Sequence, residues 1–106
     1  MRHFVSVLVF GALALAGCQF DPVAACESRC EERKALGCEP SGTRCDNACV
    51  LADDVYDEGY DRAAAAGCTS QYQATVDCAF STPACATEAV IAERCAEEYL
   101  ILQNCL

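Results

Sequence analysis

The sequence predicts an all-α fold, a small disulfide-stapled bundle of about four helices arranged as two antiparallel hairpins. Three observations lead there. Eleven cysteines are spread through 106 residues, and nine of them recur at C-x3-C twice and C-x9-C three times. An i, i+4 spacing puts both sulfurs on one face of a helix. Helix start and stop residues punctuate the chain between these cysteines, whereas β-branched runs with period-two alternation are absent.

The first element stands outside that fold. Arg2 and His3 precede an uncharged apolar run from Phe4 to Gly17. Its 14 residues would span roughly 21 Å as a helix, short against the ~20 residues that cross a bilayer. A basic start and an apolar stretch of this length read as a secretory signal peptide over residues 1–17. Leu15-Ala16-Gly17-Cys18 resembles the lipobox of bacterial lipoproteins. The resemblance implies cleavage before Cys18, a diacylglycerol thioether on that sulfur, and an acyl chain such as palmitate on the new amino group. No other cofactor is expected. Lipidation of Cys18 leaves ten cysteines, an even number that can pair completely. Residues 18–21 become the lipidated cysteine and a short tether, and 22–106 a single cysteine-rich domain.

The helices follow in order. Asp21-Pro22 offers an N-cap and a proline at the first helical position, and Gly37 a stop, for a first helix over 22–36. Thr43 with Asp46 resembles a capping box for a second helix from 44 to Gly67, with Gly59 as a candidate break. Thr69 or Ser70 would cap a third helix to about Phe80. Thr82-Pro83 would open a fourth that continues to Asn104.

In an antiparallel helical hairpin, facing positions have a nearly constant sum. Cys26 with Cys49 and Cys30 with Cys45 share one sum, with a turn at Gly37-Cys38. Cys68 with Cys95 and Cys78 with Cys85 share another, with a turn at Ser81-Thr82 just before Pro83. Cys38 and Cys105 are then left to tie the hairpins together. A second register also keeps the sum constant: Cys68 with Cys105 and Cys78 with Cys95, leaving Cys38 with Cys85. The first is preferred because its turn precedes Pro83, and the spacing alone leaves both open.

The pairs C26-x3-C30 and C45-x3-C49 resemble the twin C-x3-C hairpins of small mitochondrial intermembrane-space chaperones. C68-x9-C78 and C85-x9-C95 are similar to the twin C-x9-C hairpins of the same compartment. Those families join outer to outer and inner to inner cysteine, and their likeness implies a holdase that binds apolar segments. With its export signal, the extra Cys38 and only six residues between Cys78 and Cys85, the whole chain more closely resembles small cysteine-rich bacterial lipoproteins.

Composition removes several functions. After Cys18 there are sixteen acidic and six basic side chains, a balance that argues against nucleic acid, whose phosphates require Lys and Arg clusters. The single histidine, His3, leaves with the signal peptide, and with it triad chemistry and histidine metal sites. Leu, Ile, Val and Phe number 14 of the 89 residues from Cys18 onward, below the ~20% at which a highly charged chain is expected to be disordered. Ten cysteines in an oxidising compartment compensate for so small a core.

Five carboxylates crowd Asp53-Asp54-Val55-Tyr56-Asp57-Glu58-Gly59-Tyr60-Asp61. Gly59 at the sixth place of an EF-hand loop would put Tyr56 at the third and Ala65 at the twelfth, so no such loop is written. A solvated helix face is expected, with no metal site. Carboxylate pairs such as Asp53 and Asp57, or Glu93 and Glu97, are ordinary on an acidic helix, so no catalytic residue is assigned and no enzyme is expected. Tyr56, Tyr60, Tyr72 and Tyr99 are expected to cover a core, and Leu100-Ile101-Leu102 with Leu106 to close the bundle. Arg29, Arg33 and Lys34 place basic charge on the first helix, which is expected to lie nearer the membrane than the acidic second one. The expectation is a lipid-anchored envelope protein with a structural or interaction role, an unidentified protein partner, and outer-membrane placement because Gln19 follows Cys18 where an inner-membrane retention signal would have Asp.

Overall fold

The computed structural model describes residues 19–106. The segment 1–17, expected to be a signal peptide, and Cys18, expected to carry lipid, lie outside the described residues. Within them the chain is all-helical: α1 Pro22–Leu36, α2 Cys45–Ala48, α3 Ala52–Ala65, α4 Thr69–Ser81, α5 Glu88–Arg94 and α6 Ala96–Cys105. Helix α1 packs on α2 and α3, α3 on α4, and α4 on α6. Among the described residues, helix pairing therefore runs from α1 to α6, and α3 with α4 joins the two expected hairpins.

Local chemistry explains α1. The Asp21 carboxylate accepts from the backbone N–H groups of Val23 and Ala24, both at 3.1 Å, and Pro22 supplies the first helical φ. Gly37, at φ 84°, ends the helix: its N–H donates to Lys34 O and that of Cys38 to Arg33 O. Gly67, at φ 75°, ends α3 in the same way, its N–H donating to Ala64 O and that of Cys68 to Ala63 O. This paired closure satisfies carbonyls that the helix would otherwise leave open. It also places a cysteine immediately after each stop.

The second, third and fourth expected helices differ from expectation at their boundaries. The expected second helix is split into α2 and α3 at Cys49–Leu51, while Gly59 lies inside α3. Arg44, not Thr43, precedes α2. Asp46 is drawn to the Arg44 guanidinium at 2.9 Å, and the Thr43 hydroxyl donates to Glu39 at 3.4 Å, so the capping box does not form. Helix α4 begins after Cys68 with no side-chain cap, because the Gly67 turn already orients its entry. The expected fourth helix starts late, at Glu88, and breaks at Cys95. Thr87 caps it by accepting from Val90 N at 3.3 Å, since the Thr82 hydroxyl is already committed elsewhere.

The bridges join Cys26 to Cys49, Cys30 to Cys45, Cys38 to Cys85, Cys68 to Cys105 and Cys78 to Cys95. The preferred pairings Cys68–Cys95, Cys78–Cys85 and Cys38–Cys105 are thus corrected to the second register. The reason is local. Cys85 sits in the 82–87 loop, not on a helix, so the facing-position rule does not govern it. Helix α4 continues through Ser81, and the turn then needs residues 82–87 before α5 can run back.

Sulfur forms the interior. The largest fully buried side chains are Cys49, Cys68 and Cys95. Among the described residues no Leu, Ile, Val or Phe is buried. These three cysteines also stand at the helix breaks, with φ between −104° and −115° and ψ between 9° and 25°. This bridge-like conformation lies just outside the helical well. A half-cystine at each bend carries its sulfur inward while the helix axis changes direction.

Two arginines complete the packing. Arg29 donates to Thr82 O at 3.1 Å, to the Thr82 hydroxyl at 2.8 Å and to Pro83 O at 2.9 Å. Arg33 donates to Ala84 O at 2.8 Å and pairs with Glu39 at 3.3 Å. Lys34 lies 3.7 Å from Glu31. The α1 guanidinium groups are turned onto the protein's own 82–84 loop.

Candidate functional site

An open apolar groove of about 410 Å³ lies among the tether, α1, α3 and α4, within the ~300–1,000 Å³ usual for small-ligand pockets. The tether and α1 supply Phe20, Pro22 and Cys26; the α2–α3 bend supplies Leu51; α3 supplies Val55 and Tyr56, and α4 supplies Tyr72, Val76 and Phe80. Their sequence positions explain the convergence. Ala52, Val55 and Tyr56 share one helical face, and Tyr72, Val76 and Phe80 follow at intervals of four on α4. Leu51 and Val55 remain 63% and 66% exposed, so the groove is lined but not closed.

Aromatic rings build its floor. Phe20 lies 4.9 Å from Tyr56 and 5.8 Å from Phe80, centroid to centroid. Tyr56 stands 5.9 Å from Tyr60 and 5.7 Å from Tyr72, distances typical of favourable ring pairs. The polar tips are satisfied: Tyr56 Oη donates to Gln73 Oε1 at 2.9 Å, and Tyr72 Oη to Tyr56 O at 3.4 Å. Burial raises the phenol pKa of both tyrosines, assisted for Tyr56 by Tyr60, Asp77 and Asp57 and for Tyr72 by Tyr56 and Tyr99. They stay neutral and serve as walls. The tyrosines on α3 and α4 therefore cover a groove where a core was expected, and Phe20, which sequence reasoning treated as tether, is part of the domain.

A more polar depression adjoins the groove, lined by Gln19, Phe20, Tyr56, Asp57, Tyr60, Gln73 and Asp77. The acidic face of α3 is exposed at Asp53, Asp54, Asp57, Glu58 and Asp61. Repulsion from Asp53, then slight desolvation, Asp61 and Asp54, holds the Asp57 carboxyl above the usual range. A carboxyl raised in the folded state binds its proton more readily there than in the unfolded chain. Its unfavourable contribution is present above the folded pKa and is relieved as pH falls through it. Asp46 is depressed, first by its hydrogen bond from Arg44, so its favourable contribution is lost only lower on the pH scale. Melting temperature should therefore rise on acidification from neutrality toward about pH 4, then fall. Asp57→Asn should flatten the rise; an unchanged rise in that variant would contradict the assignment.

Other expected features fall elsewhere. Leu100, Ile101 and Leu106 are 57%, 50% and 54% exposed, which corrects the expectation that this stretch closes the bundle. Consecutive helical residues point ~100° apart, so three in a row cannot all face α4, and Leu102 is the half-buried one. Among the described residues, Cys78, Cys95 and Glu98 bring potential metal ligands within 4.8 Å of one another. The two sulfurs are joined as a disulfide, so no thiolate is offered there, and one Glu98 carboxylate oxygen is buried without a hydrogen-bond partner. Among the described residues no helix is long and apolar enough to cross a membrane. Comparison with protein-family models, with curated proteins and with solved structures finds no match to this chain.

Proposed function

We propose that the chain is a lipid-anchored interaction module of the bacterial cell envelope, tethered through Cys18 and using the Phe20–Leu51–Val55–Phe80 groove as its working surface. The groove carries the reading: it is apolar, open, and walled by Phe20, two residues from the anchor. A mouth so placed faces whatever lies beside the membrane. The carboxylates of Asp57 and Asp77 next to it suit a partner segment with apolar side chains on one face and basic ones at its edge. Two acyl chains give stable anchoring and a third strengthens it, and Gln19 after the lipidated cysteine favours the outer membrane. The reading assigns no catalysis.

The anchor and the groove are tested separately. Cys18→Ser should move the protein from the membrane fraction to the soluble envelope fraction, and intact mass should lose the lipid increment. A wild-type chain of unlipidated mass would refute the anchor. A dye fluorescent on apolar surfaces should bind the wild type, and Leu51→Asp with Val55→Asp should reduce that binding several-fold. Equal binding by the variant would refute the groove. The same open apolar lining favours a second reading, a holdase for apolar segments; failure to suppress aggregation of an unfolded reporter protein would remove it.

A further inference from the structure

Four of the five bridges have at least one buried half-cystine. In Cys38–Cys85 both residues are exposed. This bridge spans 47 residues and ties the α1–α2 loop to the α4–α5 loop. The same two loops are already held together without it. The Arg33 guanidinium donates to Ala84 O at 2.8 Å and reaches Cys38 O at 3.5 Å, spanning the two chain segments that the sulfurs join. Arg29 holds Thr82 and Pro83 from the next turn of α1. The covalent link is therefore accessible to reagents and duplicated by hydrogen bonds.

We infer that Cys38–Cys85 is a thiol–disulfide exchange site that opens while the other four bridges and the helical fold persist. Its substrate class is an external thiol. A donor thiolate attacks one sulfur in line with the S–S bond, forming a mixed disulfide, and the other sulfur leaves as a thiolate and takes a proton. A second donor thiolate then attacks the donor sulfur of the mixed disulfide and expels the remaining protein sulfur, which takes a proton; the products are two protein thiols and one donor disulfide, so two electrons pass from donor to protein. The freed Cys38 thiol finds an acceptor in place, since its Sγ lies 3.5 Å from Arg33 O. Access is decisive for such exchange, and the sulfurs of Cys30, Cys45, Cys49, Cys68 and Cys95 are enclosed.

The oxidised full-length protein is titrated with glutathione, quenched with an alkylating reagent and mapped by peptide mass. The expected result is that Cys38 and Cys85 are labelled at least tenfold faster than any other cysteine, with the far-UV helical signal retained. Earlier or simultaneous labelling of another pair, or loss of helix at the same stage, would overturn the inference. The variant Cys38→Ser with Cys85→Ser checks the duplicated latch independently. It should remain helical and show no fast-labelling thiol; a variant that does not fold would also overturn it. Neither readout depends on lipid at Cys18 or on the groove.

Discussion

Complete reduction of the five disulfides should abolish cooperative folding. The buried residues of this domain are half-cystines, Ala63, Ala84, Thr75 and Thr82, with Cys49, Cys68 and Cys95 the largest fully buried side chains. Burying a Val, Leu, Ile or Phe fully is worth about 1.5–3 kcal/mol, and among the described residues no such side chain is buried. The bridges close loops of 15 to 47 residues. Each is worth about 2–4 kcal/mol alone, and less together where the loops overlap. Against a typical net stability of about 5–15 kcal/mol, removing all five leaves nothing to offset the chain entropy. Far-UV circular dichroism with and without strong reductant measures this. A reduced chain that keeps its helical signal and melts cooperatively would contradict the sulfur core. Among single bridges, loss of Cys30–Cys45, whose two residues are both buried, should lower the melting temperature more than loss of the exposed Cys38–Cys85.

Gly59→Ala should destabilise the protein although alanine is the better helix former. Propensity alone favours the change by about 1 kcal/mol. The added Cβ, however, would stand 2.7 Å from Tyr72 Cζ and 2.9 Å from Cε2, and closer still to its hydroxyl. The ring has little room to retreat, being packed against Tyr56 and Tyr60 and hydrogen-bonded to Tyr56 O. Overpacking of this kind costs about 1–3 kcal/mol. Where that cost exceeds the propensity gain by about 1 kcal/mol, a domain of this size loses about 4–8 °C in melting temperature. A double-mutant cycle decides the cause. With Tyr72→Ala in place, Gly59→Ala should become neutral or stabilising; an unchanged penalty would mean that the contact with Tyr72 is not its source.

Gly59 also shows why the helix boundaries were only partly legible. Read along the chain, a glycine within a helical run is a candidate break. Its role is instead steric: α3 continues through it so that α4 can bring Tyr72 close. The actual breaks, at Cys49–Leu51 and Cys95, contain neither glycine nor proline. No local residue preference marks them, because the half-cystine at each bend is held by a partner distant in sequence. Phe20 is similar, since its place in the groove depends on Tyr56 and Phe80, far along the chain.

The all-α class, the first helix with its Asp21 and Gly37 ends, and dependence on sulfur for a core could be read from the amino acids themselves. Those features rest on local backbone chemistry and on a count of apolar residues, and both are contained in the order of the chain. Two bridge registers satisfied the same helical spacing equally well, and the tertiary structure decided between them. It did so because Cys85 lies on a loop that Arg29 and Arg33 draw toward Cys38. The groove was likewise decided only by tertiary packing: side chains that looked like core material line an opening where the tether, α1, α3 and α4 converge.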